Sequence, residues 1–77
     1  MRGSRITSEE IGERLHLARV GRGLSLAAVE RITDDAVRRS TVNCYERAAF
    51  RIPAVRLVEL ASVYGQPPAA FLETAAR

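Results

Sequence analysis

The first helical pattern in this chain runs from about residue 8 to residue 20. Ile11, Leu15 and Ala18 recur at intervals of three and four residues, which places them on one face of a helix. Leu17 and Val20 flank this stripe. The spacing predicts an amphipathic helix whose apolar face packs against the rest of the protein.

Residues that favour helix ends lie on both sides of this segment. Thr7 and Glu10 have the spacing of a capping box, in which the hydroxyl and the carboxylate each accept a backbone hydrogen bond. Gly21 and Gly23 follow the last apolar residue, as glycines do at many helix C-termini. We therefore expect the first helix to begin after Thr7 and to end at about Val20.

A second, shorter helix is predicted over residues 26–32, with Ser25 as its N-cap. Val29 and Ile32 are expected to face the core, because they lie three residues apart. The connection that follows is longer than the three or four residues usual between two such helices. The pair Asp34-Asp35 within it is expected to cap the next helix.

Prolines and a glycine define two helices at the C-terminal end. Pro53 suits the first position of a helix because its missing N–H has no helical partner there, and Gly65 is expected to stop this helix. A fifth, short helix follows Pro67-Pro68. Phe71 and Leu72 are predicted to be its buried anchors.

Length and composition agree with an all-helical domain. The chain has 77 residues, 47% of them apolar, which suffices for one folded domain and excludes disorder. We predict an all-α fold, a compact bundle of five short helices over residues 7–74, with a flexible arm at 1–6 and a frayed end at 75–77. The single cysteine excludes an internal disulfide, and no apolar run approaches the roughly 18 residues that span a membrane. We predict a cytoplasmic protein of the bacterial nucleoid.

Arginines are concentrated around a third predicted helix, at about residues 39–48. All twelve basic residues are arginine, the net charge is +3, and residues 38–56 contain five arginines and one acid, Glu46. Val42 and Tyr45 would anchor this helix on its other side. A short helix that is cationic on one face fits the major groove of DNA. On charge alone, a solvated surface helix is an equally good interpretation.

Several motifs in this sequence resemble the lambda-repressor-like, or XRE-type, helix-turn-helix family. The matching segments are Ile11-Gly12-Glu13-Arg14-Leu15 with Arg19, Gly23-Leu24-Ser25-Leu26, Tyr45-Glu46-Arg47, and Leu57-Val58-Glu59-Leu60-Ala61 after Pro53. The resemblance covers about residues 10–73. Within the family it is strongest to the DNA-binding domains of BldD-like actinobacterial regulators, which share the longer connection before helix three. Such regulators carry a further C-terminal nucleotide-sensing domain, for which we expect this chain to be too short.

The sequence departs from the family pattern at two positions. Ala48 stands where the family usually has glycine, and a left-handed backbone there would cost alanine about 1 kcal/mol relative to glycine. Leu26 stands where the family often has a glutamine that reaches a phosphate. We therefore expect one backbone contact to DNA to be missing.

The resemblance also implies which residues meet DNA. Those at base-contacting positions are Arg39, Ser40, Thr41 and Cys44. Those placed for phosphates are Arg38, Arg47 and Arg51. Arg39 can donate two hydrogen bonds to O6 and N7 of guanine. Glu46 is expected to pair with Arg19 of the first helix, which would tie helix three to helix one.

No residue pattern predicts an enzyme, a cofactor or a metal site. His16 has no second ligand at suitable spacing. We predict a sequence-specific regulator of transcription that binds double-stranded DNA as two copies on a pseudo-palindromic site. The dimer contact is expected at Phe71 or Leu72, since no other spare apolar surface is foreseen. The alternative is a small interaction module, the partner of another regulatory protein or of a toxin, with weak or no DNA binding of its own.

Overall fold

Four α-helices, a C-terminal 3-10 turn and the connections between them form residues 6–73, the part of the chain that the computed structural model describes. The elements are α1 (Ser8–Gly21), α2 (Leu26–Ile32), α3 (Arg39–Glu46), α4 (Ala54–Tyr64) and the 3-10 turn Pro68–Phe71. The predicted all-α class is confirmed, although the fifth helix is only this turn. None of these helices is long and apolar enough to cross a bilayer. The predicted arm, apart from Ile6, and the predicted frayed end lie outside the described residues.

One hydrophobic core joins all of these elements. Its buried side chains are Leu15 and Ala18 of α1, Val29 of α2, Val37 of the connection, Val42 and Tyr45 of α3, Leu57, Leu60, Ala61 and Tyr64 of α4, and Phe71. Two predicted core residues, Ile32 and Leu72, are 55% and 46% exposed instead. Val37 is buried in the core, in the role that was expected of Ile32. At the C-terminal end, a single 3-10 turn directs Phe71 into the core and leaves its neighbour Leu72 exposed.

The predicted helix starts are largely confirmed. Thr7 and Glu10 form the capping box, with the Glu10 amide 3.1 Å from Thr7 Oγ1 and the Thr7 amide 2.8 Å from Glu10 Oε1. Ser25 caps α2 through its hydroxyl, which accepts from the amide of Ala28 at 3.0 Å. Pro53 is the N-cap of α4, one position earlier than predicted. These caps depend on contacts within a few residues, so the sequence indicates them well.

The four α-helices end in the same backbone motif. In each, a residue with a left-handed backbone follows the helix, and the amide after it donates to a carbonyl five residues back, the pattern of a Schellman motif. The left-handed residues are Gly23, Asp34, Ala48 and Gly65, with φ of 71°, 54°, 60° and 72°. Only two of these four positions carry the glycine by which sequence patterns identify such ends.

Two predictions about helix ends are therefore wrong. Asp34 and Asp35 do not cap α3; both have positive φ, and the amide of Asp35 closes the end of α2 by donating to Glu30 at 2.8 Å. Helix α3 ends at Glu46 rather than at residue 48, because the left-handed Ala48 turns the chain away from the helix axis.

Helix α1 packs very closely on the end of α3, and Gly12 is the point of closest approach. Gly12 is buried, and a Cβ atom on it would lie 2.5 Å from the carbonyl oxygen of Glu46 and 2.7 Å from that of Tyr45. Such distances are well inside van der Waals contact. A residue without a side chain at position 12 therefore allows α1 to hold α3 in place.

Candidate nucleic-acid interface

Helix α3 has one face in the core and a polar face outside. Val42 and Tyr45 are 0% and 8% exposed and anchor the helix. Ser40, Cys44 and Arg47 fall at positions i, i+4 and i+7 on the opposite side; Ser40 and Arg47 are exposed and Cys44 is half-buried. The fold thus presents to solvent the side of α3 that the sequence predicted to meet DNA.

Three arginines border this polar face and are free of carboxylates. Arg38, Arg47 and Arg51 are exposed, and none of them forms an ion pair within residues 6–73. Thr41 and Asn43 lie at the sides of α3 and are half-buried. The three free guanidinium groups produce a positive surface that suits a polyanion.

Arg39, the predicted guanine contact, is paired with Glu30 of α2. Nε and Nη2 of Arg39 lie 3.0 and 2.8 Å from Glu30 Oε1, and the Arg39 backbone amide lies 3.2 Å from Oε2. The Arg39 side chain is 60% exposed and that of Glu30 only 16%. Hydrogen bonds from Arg39 hold the pKa of Glu30 below its ordinary value, so this carboxylate is charged at neutral pH.

Sequence reasoning missed Glu30 entirely. It lies nine residues before Arg39, in a different helix, so no local spacing rule relates the two. The one available signal was that α3 has no side chain of its own to cap its N-terminus, since Arg38 occupies the N-cap position. The carboxylate of Glu30 accepts one of the free amides there.

Arg19 and Glu46, which the family resemblance predicts to form an ion pair, lie in direct contact. Nε of Arg19 is 2.6 Å from Glu46 Oε2 and Nη2 is 3.0 Å from Oε1. The side chains are only 11% and 5% exposed. The bond to Glu46 raises the pKa of Arg19 above its ordinary value, against the opposing effect of burial. His16, 51% exposed, also places Nδ1 2.9 Å from Glu46 Oε1.

Two solved structures are similar to this chain over most of its length. The S. venezulae BldD DNA-binding domain is 33% identical, with a TM-score of 0.78 over 86% of this chain and 96% of that one. A crystal structure of the DNA-binding domain of BldD is 32% identical, with a TM-score of 0.80 over 92% of this chain and all of that one. This chain belongs to the BldD-like family of helix-turn-helix DNA-binding domains. No protein-family model and no curated protein matches the sequence.

The structure shows the conformation or the surroundings of both residues at which this BldD-like domain departs from the family pattern. Ala48, at the position where glycine is usual, adopts the left-handed backbone that glycine tolerates best. Leu26, at the position where glutamine is frequent, is half-buried and packs against the core. The first departure costs stability, and the second replaces a polar donor with an apolar contact.

A groove of the BldD-like domain is lined by none of the predicted DNA-contacting residues. This groove, of about 380 Å³, runs between the end of α2 and α4 and is lined by Ile32, Thr33, Ala36, Val58, Glu59, Ser62 and Val63. Ile32 and Val58 are 55% and 53% exposed. The expectation that Phe71 or Leu72 offers the only spare apolar surface is therefore wrong, because Ile32 and Val58 are exposed as well. Of the two predicted contact residues, Phe71 is buried and Leu72 is exposed.

Potential metal ligands do not cluster in the described part of the BldD-like domain. Among residues 6–73, no three His, Cys, Asp or Glu side chains lie together in an arrangement that would hold a metal ion. The acid–arginine pairs that do meet across helices are Arg19–Glu46, which joins α1 to α3, and Arg39–Glu30, which joins α3 to α2.

Proposed function

We propose that this BldD-like domain binds double-stranded DNA and regulates transcription by sequence-specific contacts from α3 in the major groove. The main support for this proposal is the exposure and charge of one helix face. The polar face of α3 is exposed and bordered by three unpaired arginines, in a chain 33% identical to a BldD DNA-binding domain. A helix of this kind, anchored by apolar residues on its other side, fits a major groove.

The proposed contacts divide into two classes. Arg39, Ser40, Thr41 and Cys44 contact base edges, and Arg38, Arg47 and Arg51 contact phosphates. Phosphate contacts fix the position of the protein on the duplex, whereas base contacts provide sequence preference. Of the base-contacting residues, Arg39 and Ser40 are the more exposed, so we expect them to contribute most of the preference.

Two copies are proposed to bind one pseudo-palindromic site. Half-sites one helical turn apart, about 34–36 Å, place two recognition helices on the same side of the duplex. The domain measures 42 × 23 × 19 Å along its principal axes, so two copies fit side by side at this spacing when one of the shorter axes lies along the duplex.

A salt titration tests this proposal. The wild-type protein is titrated against a fluorescent duplex selected from a random pool, at several salt concentrations. We expect affinity to fall steeply with salt, and Arg47→Ala or Arg51→Ala each to reduce the slope of log K against log salt by about 0.9. Arg39→Ala combined with Arg47→Ala should abolish sequence-specific binding.

The matched control for these variants is Arg22→Ala. Its guanidinium lies beside Gly65 at the end of α4, so the same charge is removed from another part of the surface. This variant should keep the wild-type slope to within a few tenths. Absence of salt-dependent binding to any duplex would refute the proposal.

The alternative, an interaction module that binds another regulatory protein, is supported by the apolar groove beside α4. Its exposed Ile32 and Val58 are apolar side chains of the kind that a protein partner covers. This alternative predicts association with a protein that is insensitive to salt, and no slope change in the arginine variants.

A further inference from the structure

We infer that Glu30 is a positioning residue that presents the guanidinium of Arg39 to a guanine and thereby sets base preference. This inference rests on the proposed DNA binding and extends it to a residue outside α3. Its basis is that the two oxygens of the Glu30 carboxylate accept hydrogen bonds from different parts of Arg39. Oε2 accepts from the backbone amide of Arg39, the first residue of α3, and Oε1 accepts from Nε and Nη2 of the same residue.

The pair leaves the outer edge of the guanidinium free. Arginine has five N–H donors, and this pairing uses the one on Nε and one of the two on Nη2. Three donors remain, two on Nη1 and one on Nη2, and one N–H of each nitrogen points outward at the end of the group. O6 and N7 of guanine accept two parallel hydrogen bonds from such an edge. Guanine contact and the Glu30 pair can therefore exist together.

The relative exposure of the two side chains agrees with this arrangement. The Glu30 side chain is 16% exposed, whereas the Arg39 side chain with which it pairs is 60% exposed. A long side chain held in one rotamer before binding loses less conformational entropy when it meets a base. The carboxylate therefore acts on the DNA through Arg39 rather than by touching it.

The charge of Glu30 adds to this effect on selectivity. The carboxylate cancels the charge of Arg39, so the pair offers oriented hydrogen-bond donors with little net attraction for phosphates. Attraction to phosphates is independent of sequence. Pairing thus lowers the contribution of Arg39 to sequence-independent affinity. It does not affect the contact of Arg39 with guanine, which distinguishes one base pair from another.

The test compares base preference in parallel selections from a random duplex pool. The proteins are the wild type, Arg39→Ala and Glu30→Gln, and each selected site is then varied one base pair at a time in binding titrations. We expect a guanine that the wild type prefers and Arg39→Ala does not. At that position Glu30→Gln should lose about fivefold or more of the preference, while affinity for a random duplex stays equal or rises.

The control is Glu59→Gln, which removes the same charge from a second acid–arginine pair. Glu59 pairs with Arg56 within α4 at 2.7 Å and makes no hydrogen bond to Arg39. This variant should keep the wild-type preference at every position.

A measurement on the wild-type protein covers the case in which Glu30→Gln does not fold. The Nε–H signal of Arg39 in a nitrogen-edited NMR spectrum should stay protected from solvent exchange when DNA is added.

Three results would overturn the inference. Full guanine preference in Glu30→Gln would show that Glu30 only caps α3. Tighter specific binding by this variant, with no loss of preference, would show that Glu30 competes with DNA for Arg39. Loss of the Arg39 Nε–H signal on DNA binding would show that the pair breaks. If the wild type selects no sequence at all, the proposed function itself fails, and this outcome is distinct from the others.

Discussion

Arg19 in α1 and Glu46 at the last position of α3 form a buried, two-point ion pair. Two guanidinium nitrogens meet the two carboxylate oxygens at 2.6 and 3.0 Å, and the side chains are 11% and 5% exposed. Nη1 of Arg19 also donates to the carbonyl of Leu24 at 2.8 Å. This pair joins the C-terminal end of α3 to α1, and together with the buried Val42 and Tyr45 it keeps the polar side of α3 outward.

Removing one partner of this pair should be far more harmful than removing both. Arg19→Met leaves the Glu46 carboxylate buried beside an apolar side chain and should lower the free energy of unfolding by about 3 kcal/mol or more. Arg19→Met combined with Glu46→Leu should recover part of this loss, because no buried charge remains. Urea denaturation of both single variants and the double variant measures the coupling. A cost below 1 kcal/mol for Arg19→Met would contradict this account.

Gly12 should not tolerate even a methyl group. In Gly12→Ala the new Cβ meets backbone carbonyls of α3 at 2.5 and 2.7 Å, so α1 must move away and stability should fall by about 1–3 kcal/mol. Gly21→Ala is the matched control, since no atom lies within 4 Å of a Cβ at that position. It should raise stability by up to about 1 kcal/mol, as alanine favours a helix over glycine. Thermal unfolding followed by circular dichroism separates these opposite outcomes.

Ala48→Gly should stabilise the protein. The left-handed backbone at this position, with φ of 60°, strains an alanine but not a glycine, so we expect a gain of about 1 kcal/mol. Ala49 is the control, because it is the adjacent exposed alanine and has no positive φ. Ala49→Gly should be destabilising by a few tenths of a kcal/mol, through the greater freedom of the unfolded chain. Equal effects of the two substitutions in urea denaturation would argue against backbone strain at Ala48.

Tyr64 should make the protein sensitive to alkaline pH. It is 1% exposed, and its hydroxyl has no hydrogen-bond partner among residues 6–73. Burial raises the pKa of Tyr64 above its ordinary value of 10.0, and the nearby charge of Glu46 raises it further, whereas Arg19 lowers it. The folded state favours the protonated phenol. The contribution of Tyr64 to the free energy of unfolding is therefore complete below pH 10 and is lost as pH rises above that value.

Tyr64→Phe tests both consequences. Removal of a buried hydroxyl that has no partner should raise stability at neutral pH by about 1 kcal/mol. The loss of stability above pH 10 should become smaller than in the wild type, as measured by urea denaturation across the pH range. Tyr45→Phe keeps Tyr64 and should therefore retain the alkaline loss. A Tyr64→Phe variant that is less stable at neutral pH would indicate that the hydroxyl makes a favourable contact.

The sequence was most informative where structure depends on neighbouring residues. Thr7 with Glu10, Ser25, Gly23 and Gly65 set helix ends through bonds that span a few residues, and each lies where the pattern placed it. The cluster of arginines around α3 was equally visible, because it needs only composition along the chain. Local rules did not identify the left-handed turns at Asp34 and Ala48, because neither position carries the glycine that favours this conformation most. At Ala48 only the family resemblance pointed to it.

What the sequence alone determined about this protein is its helical class, most helix starts and the basic character of the third helix, since these follow from spacing and residue type. Only the tertiary structure decided that Val37 rather than Ile32 is buried, that Gly12 touches the end of α3, and that Glu30 holds Arg39. Each of these contacts joins residues from different elements. Their distances depend on how whole helices pack, and no periodicity along one segment contains that information.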